Sequence, residues 1–160
     1  MGLSAAQLRA RSLACLAQRE HSRLELRRKL LAACQRAAER AEETPADDAE
    51  ARVDALLDQF SANGLLSEQR YIDSRLRTRA PRLGARRLAA ELAQQGLKPQ
   101  GETWAKVQAS EAERAQALLQ RRFGEEPPPD LKEMARRVRF LVSRGFAPDL
   151  VQKLVKAGRK

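Results

Sequence analysis

The chain has 160 residues and a formal net charge of +10, with 42% hydrophobic but only 4% aromatic residues. A composition rich in Ala, Leu, Arg, Glu and Gln favours helix, and suits thin layers buried between helices better than one thick core. No apolar run is long enough to span a bilayer, so no membrane segment is expected. The clustered positive charge makes a polyanion or an acidic protein surface the expected partner.

The N-terminal stretch MGLSAAQLRARSLACLAQRE has arginines interrupting its apolar positions, which argues against a secretory leader. Its pattern joins the next helix, so folded protein is expected there rather than a transit peptide. From Ala5 to Arg19 the inward face is Ala5, Leu8, Ser12, Cys15 and Leu16, with Leu13 at the rim. Ser22 and Glu25 form a capping box opening the next helix, which buries Leu26, Leu30, Ala33, Cys34 and Ala37 and presents Arg28 and Lys29 to solvent. Cys15 and Cys34 are isolated and His21 is the only histidine. Neither a metal site nor a disulfide framework is expected; small core cysteines in a reducing cytoplasm are.

Residues 39–50, ERAEETPADDAE, form an acidic, Pro-containing connection expected to be solvated. The third helix buries Val53, Leu56, Leu57 and Phe60, and Gly64 follows it as the left-handed terminator.

The stretch from Ser67 to Leu97 then forms two short helices broken at Ala80-Pro81, the second closed by Gly96. Its first helix buries Tyr71, Ile72 and Leu76, and the second carries Ala85, Leu88, Ala89 and Leu92 on one face. Between Arg70 and Arg87 lie seven arginines and one acid, Asp73. Trp104 and Val107 share a face of a short helix expected to start near Pro99.

A second capping box, Ser110 to Glu113, opens a helix with Ala115, Leu118, Leu119 and Phe123 inward. After the Pro-rich loop 124–130, Asp130 to Glu133 is a third. The helix that follows buries Leu131, Met134, Ala135, Val138, Leu141 and Val142 and exposes Lys132, Arg136, Arg137, Arg139 and Arg144. Gly145 stops it. Pro148 restarts a last helix burying Leu150, Val151, Leu154 and Val155, before a basic Arg159-Lys160 tail.

Gly96-Leu97-Lys98-Pro99 and Gly145-Phe146-Ala147-Pro148 are near-copies 49 residues apart, and Gly64-Leu65-Leu66 is a looser third instance. The expected architecture is all-α: three tandem three-helix repeats stacked into an elongated, curved array. The repeats are expected at 1–64, at 65–109 (the arginine-rich one) and at 110–160.

Taken in order, several short motifs resemble those of the RecX family of regulators of the RecA recombinase. They are Arg19-Glu20-His21-Ser22 with Glu25-Leu26 and Lys29-Leu30; Gly64-Leu65-Leu66 with Arg70-Tyr71; Gly84 with Arg87-Leu88, Glu91-Leu92 and Gly96-Leu97; and Phe140-Leu141 with Arg144-Gly145-Phe146. The resemblance runs from about Ala5 to Val155. It implies a cytoplasmic protein that lies along RecA nucleoprotein filaments and lowers ATP hydrolysis, strand exchange and co-protease activity by limiting filament growth. The exposed basic groups predict non-specific contact with single- and double-stranded DNA, and no cofactor is expected.

Arg28, Lys29, Arg70, Arg75, Arg77, Arg79, Arg86, Arg87, Arg136, Arg137, Arg139 and Arg144 are the expected filament- and DNA-binding surface. A monomer without enzymatic activity is expected, since no phosphate-binding loop or nucleophile motif occurs. The alternative is a DNA-binding protein, either non-specific or a helix-turn-helix reader whose recognition helix is led by Arg86 and Arg87. Against it, that helix offers few Asn or Gln at base-reading positions.

Overall fold

The computed structural model describes residues 2–44 and 46–158. Pro45 and the Arg159-Lys160 tail lie outside the described residues. Among the described residues the helical periodicities become nine α-helices and no strand: α1 (Ala5–Gln18), α2 (Arg23–Arg40), α3 (Ala49–Ala62), α4 (Glu68–Arg79), α5 (Ala85–Ala93), α6 (Glu102–Ala109), α7 (Glu111–Phe123), α8 (Leu131–Ser143) and α9 (Pro148–Ala157). The chain divides into two compact units, one ending at Tyr71 and the other beginning at Ile72.

The helix starts show which polar residues serve as caps. Ser22 Oγ accepts the Glu25 N–H at 3.0 Å, Ser67 Oγ the Arg70 N–H at 3.2 Å, and Asp130 Oδ1 the Glu133 N–H at 2.7 Å. Each satisfies one of the donors that a first helical turn leaves unpaired. A full reciprocal box forms where the sequence reading placed none: Ser4 Oγ accepts from the Gln7 N–H, and Gln7 Oε1 accepts from the Ser4 N–H.

The box expected at Ser110 does not form. Ser110 is the single residue between α6 and α7, its backbone near-helical at φ −93°, ψ 8°, and its hydroxyl donates to the Lys106 carbonyl at 2.8 Å. A cap needs extended backbone at its own position, and the α6–α7 junction leaves no room for it. Likewise α6 begins at Glu102, behind Gly101 at φ +89°, rather than near Pro99.

The near-copies of Gly96-Leu97 and Gly145-Phe146 turn out to be helix terminators. Gly96 (φ +71°) and Gly145 (φ +89°) take the left-handed conformation, and the following N–H returns five residues back: Leu97 to the Leu92 carbonyl at 3.0 Å, Phe146 to the Leu141 carbonyl at 3.3 Å. Leu97 and Phe146 are themselves buried. A left-handed glycine followed by a buried apolar residue is the signature of this terminator, which accounts for the repeat.

In the first unit α1, α2 and α3 bury Leu8, Leu26, Leu30, Val53, Leu57 and Phe60 in one cluster. In the second, α7, α8 and α9 bury Leu118, Leu119, Leu141, Phe146, Val151 and Val155 together. Burying an aliphatic or Phe side chain contributes about 1.5–3 kcal/mol, so each cluster is a substantial local core.

Three residues expected on inward faces are exposed. Leu131 and Val142, expected inside, are exposed at 71% and 38%, and Ala5 is exposed as well. Leu131 and Ala5 are the first residues of their helices, and Val142 lies at the edge of the α8 stripe. Periodicity assigns a residue to a face, but only a covering element buries it.

Candidate functional site

The basic side chains separate into those committed to acids or carbonyls within the fold and those left free. In the first unit, Arg27 grips Asp54 (Nε to Oδ1, 2.8 Å) and Glu50 (Nη2 to Oε2, 2.8 Å), and Arg23 reaches Asp58 at 2.8 Å. Part of the acidic stretch is therefore spent on one side of α2, and hydrogen bonding to Arg27 holds the Asp54 carboxyl below its usual range. Arg70 closes the turn at Gly64: its Nε meets Glu20 Oε1 at 2.8 Å, and its Nη2 donates to the Gly64 and Leu65 carbonyls.

Arg28 and Lys29 are exposed on α2, yet Lys29 Nζ lies 2.8 Å from Nε2 of the buried His21. An ammonium only donates, so Nε2 is the acceptor and Nδ1 carries the proton. Nδ1 is 3.0 Å from the Arg19 carbonyl, to which it donates. Burial pushes the His21 pKa below its ordinary value, consistent with a neutral ring. Arg19 in turn holds the Glu25 carboxylate through both nitrogens, at 2.9 and 3.0 Å.

In the second unit Arg79 makes a two-point contact with Glu91 (2.6 and 3.2 Å), and Arg75 joins the same carboxylate at 3.4 Å. Hydrogen bonding to Arg79 holds the Glu91 carboxyl below its usual range against the opposing effect of burial. Arg77, Arg86 and Arg87 are exposed, and none has an ion-pair partner among the described residues. The central arginines thus divide into a pair that braces α4 against α5 and a set that faces solvent.

The N-terminus of α5 is occupied. Gly84 N–H donates to the Arg144 carbonyl at 2.8 Å and Arg86 N–H to the Gly145 carbonyl at 3.1 Å, while Ala85 N–H donates to Glu111 Oε1 at 2.9 Å. The positive end of the α5 dipole thus meets the negative end of α8 and a carboxylate. The contact is backbone on backbone. A Cβ on Gly84 would fall closer than 3.0 Å to Phe146 N and to the Gly145 carbonyl group, and one on Gly145 would strike Arg87.

Arg114, which the sequence reading passed over, ties this junction together. Its guanidinium donates to the Ala80, Leu83 and Val107 carbonyls at 2.6–2.8 Å and lies over the Phe146 ring. Burial lowers its pKa. The sequence carried no signal for it: an arginine next to a capping motif looks like any solvent-facing helix residue.

On α8, Arg139 is exposed and Arg136 pairs with Glu133 at 3.4 Å. Arg137, expected outside, has a side chain only 12% exposed. It sits three residues after Met134 and four before Leu141, on the inward face, where it stacks on Phe123 and donates to the Glu126 carbonyl at 2.8 Å. Arg144 is seated over Phe140. Next to it, Arg82, Arg121, Arg122, Arg144, Phe140 and Leu118 line an open cleft of about 440 Å³. Arg82, Arg121 and Arg122 were outside the expected surface. The Arg121-Arg122 pair, one residue beyond Leu118-Leu119, was the available signal for two of them.

Among the described residues, no helix is long and apolar enough to cross a membrane, and no group of three His, Cys, Asp or Glu side chains is placed to hold a metal ion.

Residues 109–155 match the family model described as the third three-helix domain of RecX. The chain is 44% identical over 150 residues to the regulatory protein RecX of Ralstonia pickettii (strain 12J), covering 92% of this chain and 86% of that one. It is 41% identical to the regulatory protein RecX of Leptothrix cholodnii over 93% of this chain and 87% of the relative. To that of Neisseria meningitidis serogroup A it is 33% identical, over 93% and 89%.

Proposed function

The chain belongs to the RecX family of regulatory proteins, and on that premise we propose that it binds RecA nucleoprotein filaments and restrains the recombinase. It lowers ATP hydrolysis, strand exchange and co-protease activity by limiting filament growth, and it acts in the cytoplasm as a monomer without a cofactor or catalysis of its own. Its three proposed repeats, 1–64, 65–109 and 110–160, present basic faces to the filament and its DNA.

The observation that carries this reading is the division among the arginines. Those that brace helices are neutralised internally, and Arg77, Arg86 and Arg87 are exposed on α4 and α5 with no ion-pair partner among the described residues. Unpaired surface arginines cost little to desolvate against phosphate or carboxylate compared with arginines already paired. The helix-turn-helix alternative is disfavoured by the α5 N-terminus. A recognition helix reads bases with its first turn, and here that turn is backed against Arg144 and Gly145.

The test is the ATPase of RecA filaments on single-stranded DNA with and without this protein. Inhibition at or below stoichiometric ratio is expected, and unchanged turnover at saturation refutes the proposal. Binding to naked DNA should weaken steeply with salt and show no preference between sequences, because counterion release along the phosphate backbone drives it.

A further inference from the structure

Among the basic clefts, one in the first unit (Arg11, Arg28, Lys29 and Arg36) is also lined by no carboxylate but has no aromatic side chain, whereas the one on α7 and α8 has Phe140. Arg82, Arg121, Arg122 and Arg144 line it, and none of them has an ion-pair partner among the described residues. Its lining contains no carboxylate, whereas Arg70, Arg75, Arg79, Arg136 and Arg137 all lie against one. Bringing four guanidinium groups around one concavity without a counter-charge is electrostatically unfavourable, and an anionic ligand relieves it. Guanidinium forks match phosphate oxygens in a planar two-point geometry.

The floor is equally specific. Arg144 lies 4.6 Å from the centre of the Phe140 ring, and Phe140 meets Phe123 edge-on at 5.4 Å. An arginine seated on an aromatic ring presents its outer face as a flat platform on which a base can stack. The volume of about 440 Å³ falls in the range of small-ligand sites, roughly 300–1,000 Å³, and suits one splayed nucleotide.

We propose that this cleft is a single-stranded DNA site, in which Arg82, Arg121 and Arg122 hold successive phosphates and the Phe140–Arg144 stack receives an unstacked base. Duplex DNA keeps its bases paired inside, so it offers the phosphates but nothing for the platform. The proposal rests on the filament reading only for the choice of DNA as the polyanion, and it assigns the strand-gripping role to α7–α8 rather than to the α4–α5 hairpin.

The experiment is binding of the full chain to a fluorescently labelled oligothymidylate and to a duplex of equal length across a salt series, without RecA. The wild-type chain should prefer the single strand. Arg121→Ala/Arg122→Ala should weaken oligothymidylate binding by about tenfold or more and flatten the log–log salt slope by about 1.4, two charges at ~0.7 each. The charge-matched control Arg11→Ala/Arg36→Ala, two exposed arginines of the first unit's basic cleft, which lacks an aromatic platform, should move both quantities much less.

Arg144→Lys keeps the charge but removes the plane. It should lose about tenfold in affinity with the slope unchanged. Circular dichroism checks that each variant is folded. Equal effects of the two double variants, a preference for duplex, or an unaffected Arg144→Lys would each overturn the site. A wild-type chain that binds oligothymidylate yet leaves the RecA ATPase untouched refutes the filament reading and leaves the cleft standing. Inhibition of RecA together with undiminished oligothymidylate binding by Arg121→Ala/Arg122→Ala does the reverse.

Discussion

Three glycine-to-alanine substitutions, two at the α5–α8 junction and one past the far end of α5, separate two physical effects. Gly84 has φ −78° and ψ 166°, which any residue adopts, so Gly84→Ala introduces no backbone strain. Its new methyl would meet Phe146 N and the Gly145 carbonyl carbon and oxygen, all backbone atoms that cannot rotate away. The two elements must separate, and the hydrogen bonds from Gly84 to Arg144 and from Arg86 to Gly145 stretch or break. A backbone hydrogen bond contributes about 0.5–1.5 kcal/mol net, and leaving a buried group unpaired costs about 1–3 kcal/mol, so the expected loss is about 2–4 kcal/mol.

Gly96→Ala is the complementary case. With φ +71° and open space around the position, it carries only the left-handed penalty, about 1–2 kcal/mol, reduced by the smaller unfolded-state entropy of alanine. Gly145→Ala combines φ +89° with a collision against Arg87 and should be the most damaging, about 3–5 kcal/mol. Urea unfolding followed by fluorescence of Trp104, the only tryptophan and within the same compact unit, reports all three. A Gly84→Ala midpoint at or above that of Gly96→Ala would show that the helices do not meet backbone to backbone.

Arg114→Ala removes the donor to three carbonyls and should cost about 2–4 kcal/mol in the same assay, far more than Arg86→Ala on the solvent side. Because burial lowers the His21 pKa, with Arg19 and Lys29 adding to it against the Arg19 carbonyl and Glu25, the unfolded chain binds a proton more readily than the folded one. Stability should therefore decline as pH falls below the ordinary value of 6.5, a loss that His21→Gln removes from a pH series of urea midpoints. Among clustered variants, Arg77→Ala/Arg86→Ala/Arg87→Ala should stay folded by circular dichroism and lose most of the inhibition of RecA ATPase. Arg136→Ala/Arg137→Ala should unfold at lower urea because Arg137 is packed on Phe123. Full inhibition by the triple variant would move the filament-facing surface off the hairpin.

Local signals in the chain determined most of the secondary structure. The apolar ladders of α2, α3, α5 and α7, the caps at Ser22 and Asp130, and the terminators at Gly64, Gly96 and Gly145 depend on neighbours within a turn or two. A linear reading contains that information. The same holds for the net positive charge and for the RecX motifs, whose leucines belong to these ladders and whose glycines, Gly84 apart, are these terminators. The fate of each charged side chain was decided only by tertiary structure. Arg70 and Arg77 look alike along the helix, yet one closes a turn against Glu20 and the other faces water. Arg114 and Arg137 became internal because carbonyl oxygens and aromatic rings from distant segments converged on them. Helical period sets the direction of a side chain, whereas its partners come from packing, and a long guanidinium stem reaches whichever acceptor the fold brings near. For that reason the helices were legible in the sequence, while the sorting of arginines into braces and free donors, and the cleft it leaves on α7 and α8, emerged only in three dimensions.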